Sequence, residues 1–541
     1  MAKTIILGNS HSAELASKLD ATLIEVPDIY ENDWGVVNDF VIDKLHQEFD
    51  VLVIDADNIQ RPDVALAIGM YLRLSVVELM TITLLPIIVA SDKGITSFLK
   101  KGTYSQLLLT SNVYFQARTN IIVDAVQPLD AQNYKNGFLD CIHIQPGPEV
   151  GRHSLANQWG ASVIDRIINN GKPSDNPVLK TAAKSLYYKY IYALSIDVVG
   201  LFSEKKQIQY ALTPKTPIDA RGKHLLLIDD EASKGWEYVL KQLVSTNDGD
   251  FEVITHKAKD YLSLTNEERD RIKSGVYDLI FLDLRMNGLE EDEVYKPEEF
   301  SGMKILKQIK KSNSGTQVIM FTASNKAWNL KALLDAGADG YYIKESPEYK
   351  FSPGFSYANY EALRNNIKDC LSRSYLKKVD SKIKDIAKDF NIAQTPLKTS
   401  IINQLGFSYS LLRKQHFEFA YISLYQVIEM INSEYLDRGT NWYIVPTGKD
   451  AKSWAINFRH ECEEAKFSAD DKRKFPEWKK AASLYYQLWK QKDKTFGYKL
   501  QWLINERNKF MHNDCEKQSI IHSEKGYLEL FDVITTMCSY L

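Results

Sequence analysis

Cysteine is scarce and scattered in this chain. Five occur, Cys141, Cys370, Cys462, Cys515 and Cys538, with no CxxC pair among them. That pattern excludes a disulfide framework and a paired-cysteine zinc site, and it fits a reducing cytoplasm. Long apolar runs are missing as well. The nearest to one, VVELMTITLLPIIVAS, contains Glu78 and is too short to span a bilayer, so a buried helix followed by a strand is expected there and no membrane association. The start, MAKTIILGNS, lacks the charged-then-apolar architecture of a signal peptide. No charge of one sign prevails: 67 Lys and Arg face 70 Asp and Glu, a net charge of -3. A global basic field that would coat nucleic acid is thereby excluded, while a local RNA site is not. There is no internal repeat, no low-complexity tract and no basic recognition helix, so specific DNA binding is not expected.

What is present suits a soluble globular protein, with 44% hydrophobic and 25% charged residues. At 541 residues the chain exceeds one ordinary core, and three or four domains are expected.

Between Lys223 and Glu345, four apolar runs each end in polar residues: LLLIDDE, LIFLDLRM, VIMFTAS and GADGYYIKES. Such runs, alternating with helical patterns, indicate buried parallel strands. In an open α/β sheet the carboxyl ends of these strands converge on one crevice. Asp229, Asp230, Asp283, Thr322 and Lys344 should therefore meet. Three crowded carboxylates repel one another, and a hard dication such as Mg²⁺ relieves the repulsion. The same ion polarises a phosphoryl group. Asp283 can then act as a nucleophile, with the Thr322 hydroxyl and the Lys344 charge directed at the phosphoryl oxygens.

These motifs resemble the receiver domain of two-component response regulators, over residues 222–375. The resemblance implies that Asp283 is the phosphoacceptor, that Asp229 and Asp230 are the acid pair for Mg²⁺, and that Thr322 and Lys344 are switch residues. Tyr341 matches the aromatic that rotates inward on activation. A histidine kinase or a small phosphodonor is the implied partner. Two departures stand out. Glu345 replaces the proline that usually follows the switch lysine, which implies a looser loop around Lys344. The loop NGLEEDEVYKPEEFSG after the phosphoacceptor strand is long and acidic. It reads either as a solvated loop or as a lid or kinase-specificity element.

Residues 1–125 repeat the alternation. KTIILG, ATLIEV, DVLVID, PIIVAS and QLLLTS are strand candidates, with HSAELASKL, DVALAIGMYLRL and ITSFLKK as helices between them. This region resembles a degenerate receiver: Asp55 and Asp57 end the third strand, Ser91 and Asp92 the fourth. The first strand ends in Gly8-Asn9-Ser10 instead of an acid pair, and no lysine ends the fifth. A pseudo-receiver for docking or sensing is expected. A Rossmann-like nucleotide sensor, with the Gly8-Asn9-Ser10 turn cradling a phosphate, is the alternative.

Residues 395–541 read all-α. HFEFAYISLYQVIEMINSEYL places Phe417, Tyr421, Leu424 and Ile428 on one helix face. In INERNKFMHND, Asn508 and His512 lie at i and i+4 on one face, with Arg507 beside them. This resembles the R-x4-6-H motif of HEPN domains, helical bundles that often act as metal-independent endoribonucleases and in other cases only dimerise. The resemblance implies Arg507, Asn508 and His512 as catalytic residues, RNA as substrate, no cofactor, and a homodimer that brings two motifs together. A histidine near neutral pKa can move protons, and an arginine can stabilise the charge on a phosphorane.

The expected fold is multidomain, α/β plus all-α. It comprises a degenerate receiver-like α/β domain over 1–125, a helical extension over 126–204, a linker over 205–222, a doubly wound (βα)5 receiver over 223–375, a connector helix over 376–394 and a HEPN-like helical bundle over 395–541. The connector continues the last receiver helix as one nearly unbroken pattern. The expected function is a phosphorylation-regulated endoribonuclease, by family analogy in antiviral defence or growth arrest. The alternative is a non-catalytic signalling adaptor in which the helical domain dimerises or recruits a partner.

Overall fold

The computed structural model describes residues 3–30, 33–80, 82–99, 102–146, 152–196, 216–287, 291, 294, 296–322, 327–347, 352–389, 395–434, 442–446, 462–466, 480–481, 484, 496–512 and 519–540. The chain divides into two compact units, 1–308 with 317–372 and 309–316 with 373–541.

In the first unit, β1 (Thr4–Gly8), β2 (Thr22–Glu25), β3 (Val51–Asp55), β4 (Ile87–Ala90) and β5 (Val113–Gln116) form a parallel sheet in the order β2-β1-β3-β4-β5. β1, β3 and β4 are buried along their whole length, which is why their sequences are unbroken apolar runs instead of alternating ones. The connecting helices are α1 (Ala13–Lys18), α2 (Trp34–Lys44), α3 (Pro62–Leu74) and α4 (Thr96–Leu99). A short helix, α5 (Tyr134–Gly137), follows β5.

Two expectations fail here. QLLLTS is not a strand, because Gly102–Leu109 is a 3₁₀ helix, with Leu107 buried and Leu109 exposed. Its ends are tied locally, as Ser105 Oγ donates to Gly102 O at 2.7 Å and Thr110 Oγ1 to Leu107 O at 2.6 Å. An apolar run by itself does not separate strand from helix, and the fifth strand is the aromatic and β-branched VYFQ that follows. The segment before β4 is a series of turns instead of a helix, although Val76, Leu79 and Ile82 are buried as expected.

Helices α6 (Arg152–Ile168), α7 (Pro177–Lys184) and α8 (Leu186–Ser195) come next. α7 starts at an Asn176 cap with Pro177 in its first turn. α7 packs on α2 and α8 on α3. Lys184 pairs with Asp39 at 2.5 Å, and buried Lys189 donates to Glu78 at 2.9 Å and to Ser75 Oγ at 3.1 Å.

The second sheet repeats the first. β6 (Leu225–Ile228), β7 (Phe251–Ile254), β8 (Leu279–Asp283), β9 (Gln317–Thr322) and β10 (Gly340–Ile343) are parallel in the order β10-β9-β8-β6-β7. α9 (Trp236–Leu243), α10 (Asn266–Lys273), α11 (Ser301–Ser312), α12 (Ala327–Asp335) and α13 (Pro353–Ser372) accompany it. α6 packs against both α9 and α13.

Gly302 opens α11 directly beneath the end of β8. A Cβ there would lie 2.1 Å from Asp283 O and 2.8 Å from Leu284 Cα. Gly302→Ala should therefore push α11 off the strand at a cost of about 1–3 kcal/mol. Calorimetry checks this, and an unchanged melting temperature would contradict it.

The second unit holds α14 (Leu376–Asp389), α15 (Thr395–Arg413), α16 (Phe417–Asn432), α17 (Phe496–Met511) and α18 (Glu524–Tyr540). The connector is not continuous with α13, since residues 373–375 form a turn. The turn seats the backbone of Leu376 against Gly315, where a Cβ would lie 2.3 Å from the Leu376 carbonyl carbon. Nor is this unit all-α. β11 (Trp442–Pro446) pairs antiparallel with β12 (Cys462–Lys466), in keeping with the aromatic and β-branched WYIVP. The aromatic face of α16 does pack inward: Tyr421, Leu424 and Ile428 are buried and Phe417 lies against them. Tyr421 OH donates to Leu503 O at 2.9 Å and ties α16 to α17. The expected linker lies outside the described residues as far as 215. Among the described residues, no helix is long and apolar enough to cross a membrane.

Candidate functional site

Asp229, Asp230, Asp283, Thr322 and Lys344 all sit at the carboxyl end of the second sheet. β8 ends at Asp283 and β9 at Thr322, while the acid pair follows β6 and Lys344 follows β10. β8 lies between β6 and β9 in register, so Leu282 faces Ile228 and Asp283 faces Phe321. That register brings the side chains together as the sequence implied.

Lys344 organises the site. Its Nζ donates to Asp229 Oδ2 at 2.9 Å and to Asp283 Oδ1 at 2.6 Å, and its backbone N–H bonds Thr322 O at 2.7 Å. A third acceptor of the ammonium is Asn157 Oδ1, carried by α6. Lys344, Asp229, Asp283 and Thr322 are all at most 2% exposed. The loop with Glu345 in place of proline is therefore not loose, because three acceptors fix the lysine. Trp236 lies alongside, with the ammonium 5.5 Å from its ring centre and its Nε1–H donating to the same Asn157 oxygen at 3.1 Å.

Burial penalises every charge here, and the balance differs from group to group. For Lys344 the two carboxylates outweigh burial and its pKa is raised. For Asp229 burial dominates, and repulsion from Asp283 adds to it, so the acid is raised despite the lysine. Asp230 is pushed up to about 7, by burial first and then by the charges of Asp283, Asp229 and Glu231.

Asp229, Asp230 and Asp283 each offer a carboxylate oxygen within 4.8 Å of the others. Three hard oxygens so placed suit a small dication such as Mg²⁺. The ion must displace the proton from Asp230. Its affinity should therefore rise about tenfold per pH unit below neutrality and level off above about 7. The folded-state value of Asp230 lies above the unfolded one. Its stabilising contribution is thus complete below the unfolded value and is lost as pH rises through about 7. Titration calorimetry at several pH values tests this, and a flat affinity would contradict it.

The acidic loop after β8 is anchored. Glu291 is buried and its carboxylate accepts from Asn287 N, Ser301 N and Ser301 Oγ at 3.1, 2.6 and 2.8 Å. Tyr341 is half-buried at the sheet edge, while its neighbour Tyr342 fills the core against Trp236 and Phe321.

The equivalent place in the first sheet is closed. Asp55 ends β3 fully buried and accepts from Ser12 Oγ at 2.7 Å, Asn58 Nδ2 at 2.9 Å and Arg118 Nε at 3.1 Å. Gly8 makes room for this, since a Cβ there would lie 2.0 Å from Ser12 Oγ. Asp57 is held by Ser91 Oγ, Asp92 N and Lys93. The sequence had offered no cation for this strand end. With β5 placed seven residues later than QLLLTS, Arg118 fills that role.

In the second unit, Asn508 lies on α17 and His512 in the turn just past its end, with His512 N donating to Asn508 O at 3.1 Å. With Trp502, Asn505, Glu506 and Lys509 they line a groove of about 420 Å³. Arg507 turns away from it. Its guanidinium pairs with Glu429 on α16 at 3.2 Å, lies 4.8 Å from the Tyr425 ring centre and reaches Asn508 Oδ1 at 3.2 Å.

A parallel (βα)5 sheet with an acid pair, a central aspartate and a buried lysine at its carboxyl edge defines a receiver-type phosphoacceptor domain. Residues 225–351 match the response regulator receiver domain, and the chain carries that domain. It is 36% identical over 69 residues to the nitrate/nitrite response regulator protein NarP of Escherichia coli (strain K12), a match that spans 13% of this chain and 27% of that relative. Two solved structures, both described as two-component system response regulator/GGDEF domain proteins, are 12% and 11% identical; each match covers 68% of this chain and 99% of the other, with a TM-score of 0.18. A receiver domain is the phosphorylation-regulated element of two-component signalling.

Proposed function

We propose that this chain is a phosphorylation-controlled signalling protein. Asp283 accepts the phosphoryl group, and the C-terminal helical unit is the output, a metal-independent endoribonuclease of HEPN type. The observation that carries the first half is the Lys344–Asp229–Asp283 cluster at the sheet edge. A histidine kinase or a small phosphodonor supplies the group. A carboxylate oxygen of Asp283 attacks the phosphorus as the bond to the donor breaks, and the donor leaves with that electron pair. Mg²⁺ bound by the three acids would offset the charge of the transferring group. Lys344 must exchange a carboxylate for a phosphoryl oxygen, and the site gains about -1.5 to -2 charge. The first α/β sheet, with Asp55 neutralised by Arg118, fits a degenerate receiver that docks or senses and takes no phosphoryl group.

The second half rests on His512 and Asn508 facing a groove beside exposed Trp502, a surface on which a base can stack. There an RNA 2′-oxygen attacks the adjacent phosphorus and the 5′-oxygen leaves, with His512 moving a proton, Asn508 supporting the charge and Arg507 joining it on release from Glu429. A homodimer would bring two such motifs together. A cytoplasmic setting, and a role in antiviral defence or growth arrest, complete this reading by family analogy. The adaptor reading draws on Arg507, whose guanidinium is already engaged with Glu429 and Tyr425.

The test is RNA cleavage by the full chain with and without phosphodonor and Mg²⁺. His512→Ala should slow cleavage by about 10²–10⁴-fold. Absence of cleavage by the unaltered chain in every condition would leave the adaptor standing.

A further inference from the structure

We propose that Asn157 is a positioning residue of the phosphoacceptor site: carried on α6, outside the matched receiver domain, it holds Lys344 onto Asp229 and Asp283. This rests on the reading of Asp283 as phosphoacceptor.

An ammonium has three N–H donors, and Lys344 directs them at three acceptors, Asp229 Oδ2, Asp283 Oδ1 and Asn157 Oδ1. Two of these belong to the receiver, and the third comes from a helix that precedes it by more than fifty residues. Asn157 is 1% exposed, so no water can readily take its place. Its Oδ1 also accepts from Trp236 Nε1 at 3.1 Å, a second bond that fixes the amide. The close seat of α6 is built in. A Cβ on Gly160, one helical turn along, would lie 3.0 Å from the Trp236 ring and 3.3 Å from both the N and the O of Glu345. A methyl group there would require the Trp236 ring or the Glu345 backbone to give by a few tenths of an ångström, and a larger side chain would have to push α6 away from the loop behind Lys344.

The consequence concerns a competition. Lys344 and a dication both seek Asp229 and Asp283. An acceptor that completes the coordination of the ammonium favours the lysine in this contest. It also keeps Nζ beside the Asp283 oxygen that takes the phosphoryl group. Removing it should have opposite effects on two measurements: Mg²⁺ binds more tightly because the lysine yields more easily, and phosphorylation slows because the lysine is no longer aimed. A role confined to packing would weaken both together. α7, which packs on α6, and α8 are fastened to the N-terminal domain by Lys184–Asp39 on α2 and by Lys189–Glu78 in the turns before β4.

The experiment compares the full-length protein with Asn157→Ala, Asn157→Asp and Gly160→Leu. It measures Mg²⁺ affinity by titration calorimetry and the rate of phosphoryl uptake from acetyl phosphate. The Trp236 indole N–H resonance, identified by its loss in Trp236→Phe, reports the Asn157 bond. Asn157→Ala should slow phosphorylation on the order of tenfold, tighten Mg²⁺ binding and shift the indole signal. Asn157→Asp keeps the acceptor and should restore the rate. Gly160→Leu should reproduce the alanine variant without touching Lys344. An unchanged rate in Asn157→Ala, or a loss of both rate and Mg²⁺ affinity, overturns the proposal. A wild-type chain that takes up no phosphoryl group at Asp283 overturns the phosphoacceptor reading, and this proposal with it.

Discussion

Lys344→Ala should cost about 3–5 kcal/mol of stability in the first unit at neutral pH without divalent ions. The lysine is the buried counter-charge of Asp229 and Asp283, and both acids are almost wholly enclosed. Its removal leaves two carboxylates facing each other in a medium that solvates neither. Acid relieves that strain, because Asp229 and Asp230 already bind protons more readily than ordinary carboxylates. The deficit should therefore shrink as pH falls below about 7, the value to which Asp230 is pushed. Mg²⁺ should also restore part of the loss, by supplying the missing charge to the same oxygens. Thermal melts across pH, with and without Mg²⁺, decide the matter. A variant as stable as wild type, or one that Mg²⁺ does not help, would show that the lysine is not the counter-charge of this cluster.

Asp283→Asn should abolish phosphoryl uptake, since an amide oxygen is not a competent nucleophile. It should also act on its neighbours. The Asp283 charge is the second largest influence raising Asp230, after burial, so the Asp230 pKa should fall back toward the ordinary range. Asp229 should fall with it, because Lys344 would then serve one carboxylate instead of two. The pH dependence of Mg²⁺ binding should flatten, and the affinity itself should drop by the loss of one anionic ligand. Undiminished phosphoryl uptake in this variant would place the acceptor elsewhere.

Much of this site was legible in the sequence because its residues sit at strand ends. A strand buried on both faces must be an apolar run, so its last polar residue marks the crevice; LIFLD and VIMFT announce Asp283 and Thr322 directly. What was not legible came from outside those runs. Asn157 lies in SLANQWGASVIDRII, where Leu155, Trp159 and Val163 recur at i, i+4 and i+8, and nothing in that spacing distinguishes an amide that contacts Lys344 from one facing solvent. Only Gly160, an isolated glycine in a helical run, hinted at close approach. Arg118 was hidden by a strand assigned to QLLLTS, since three leucines read equally well as extended or helical. The antiparallel pair of β11 and β12 was not legible because long helical patterns surround it. Arg507 lies on α17 but His512 falls just past its end, and spacing alone did not show that Arg507 would turn toward Glu429.

Locating the phosphoryl group itself decides whether Asp283 is the acceptor. The full chain is incubated with acetyl phosphate and Mg²⁺, the acyl phosphate is reduced with borohydride, and the modified peptide is identified by mass spectrometry. Reduction is expected at residue 283 and not at residue 55, where Arg118, Ser12 and Asn58 already hold the carboxylate. Label at Asp55, or none at Asp283 under conditions where Mg²⁺ binds, would contradict it.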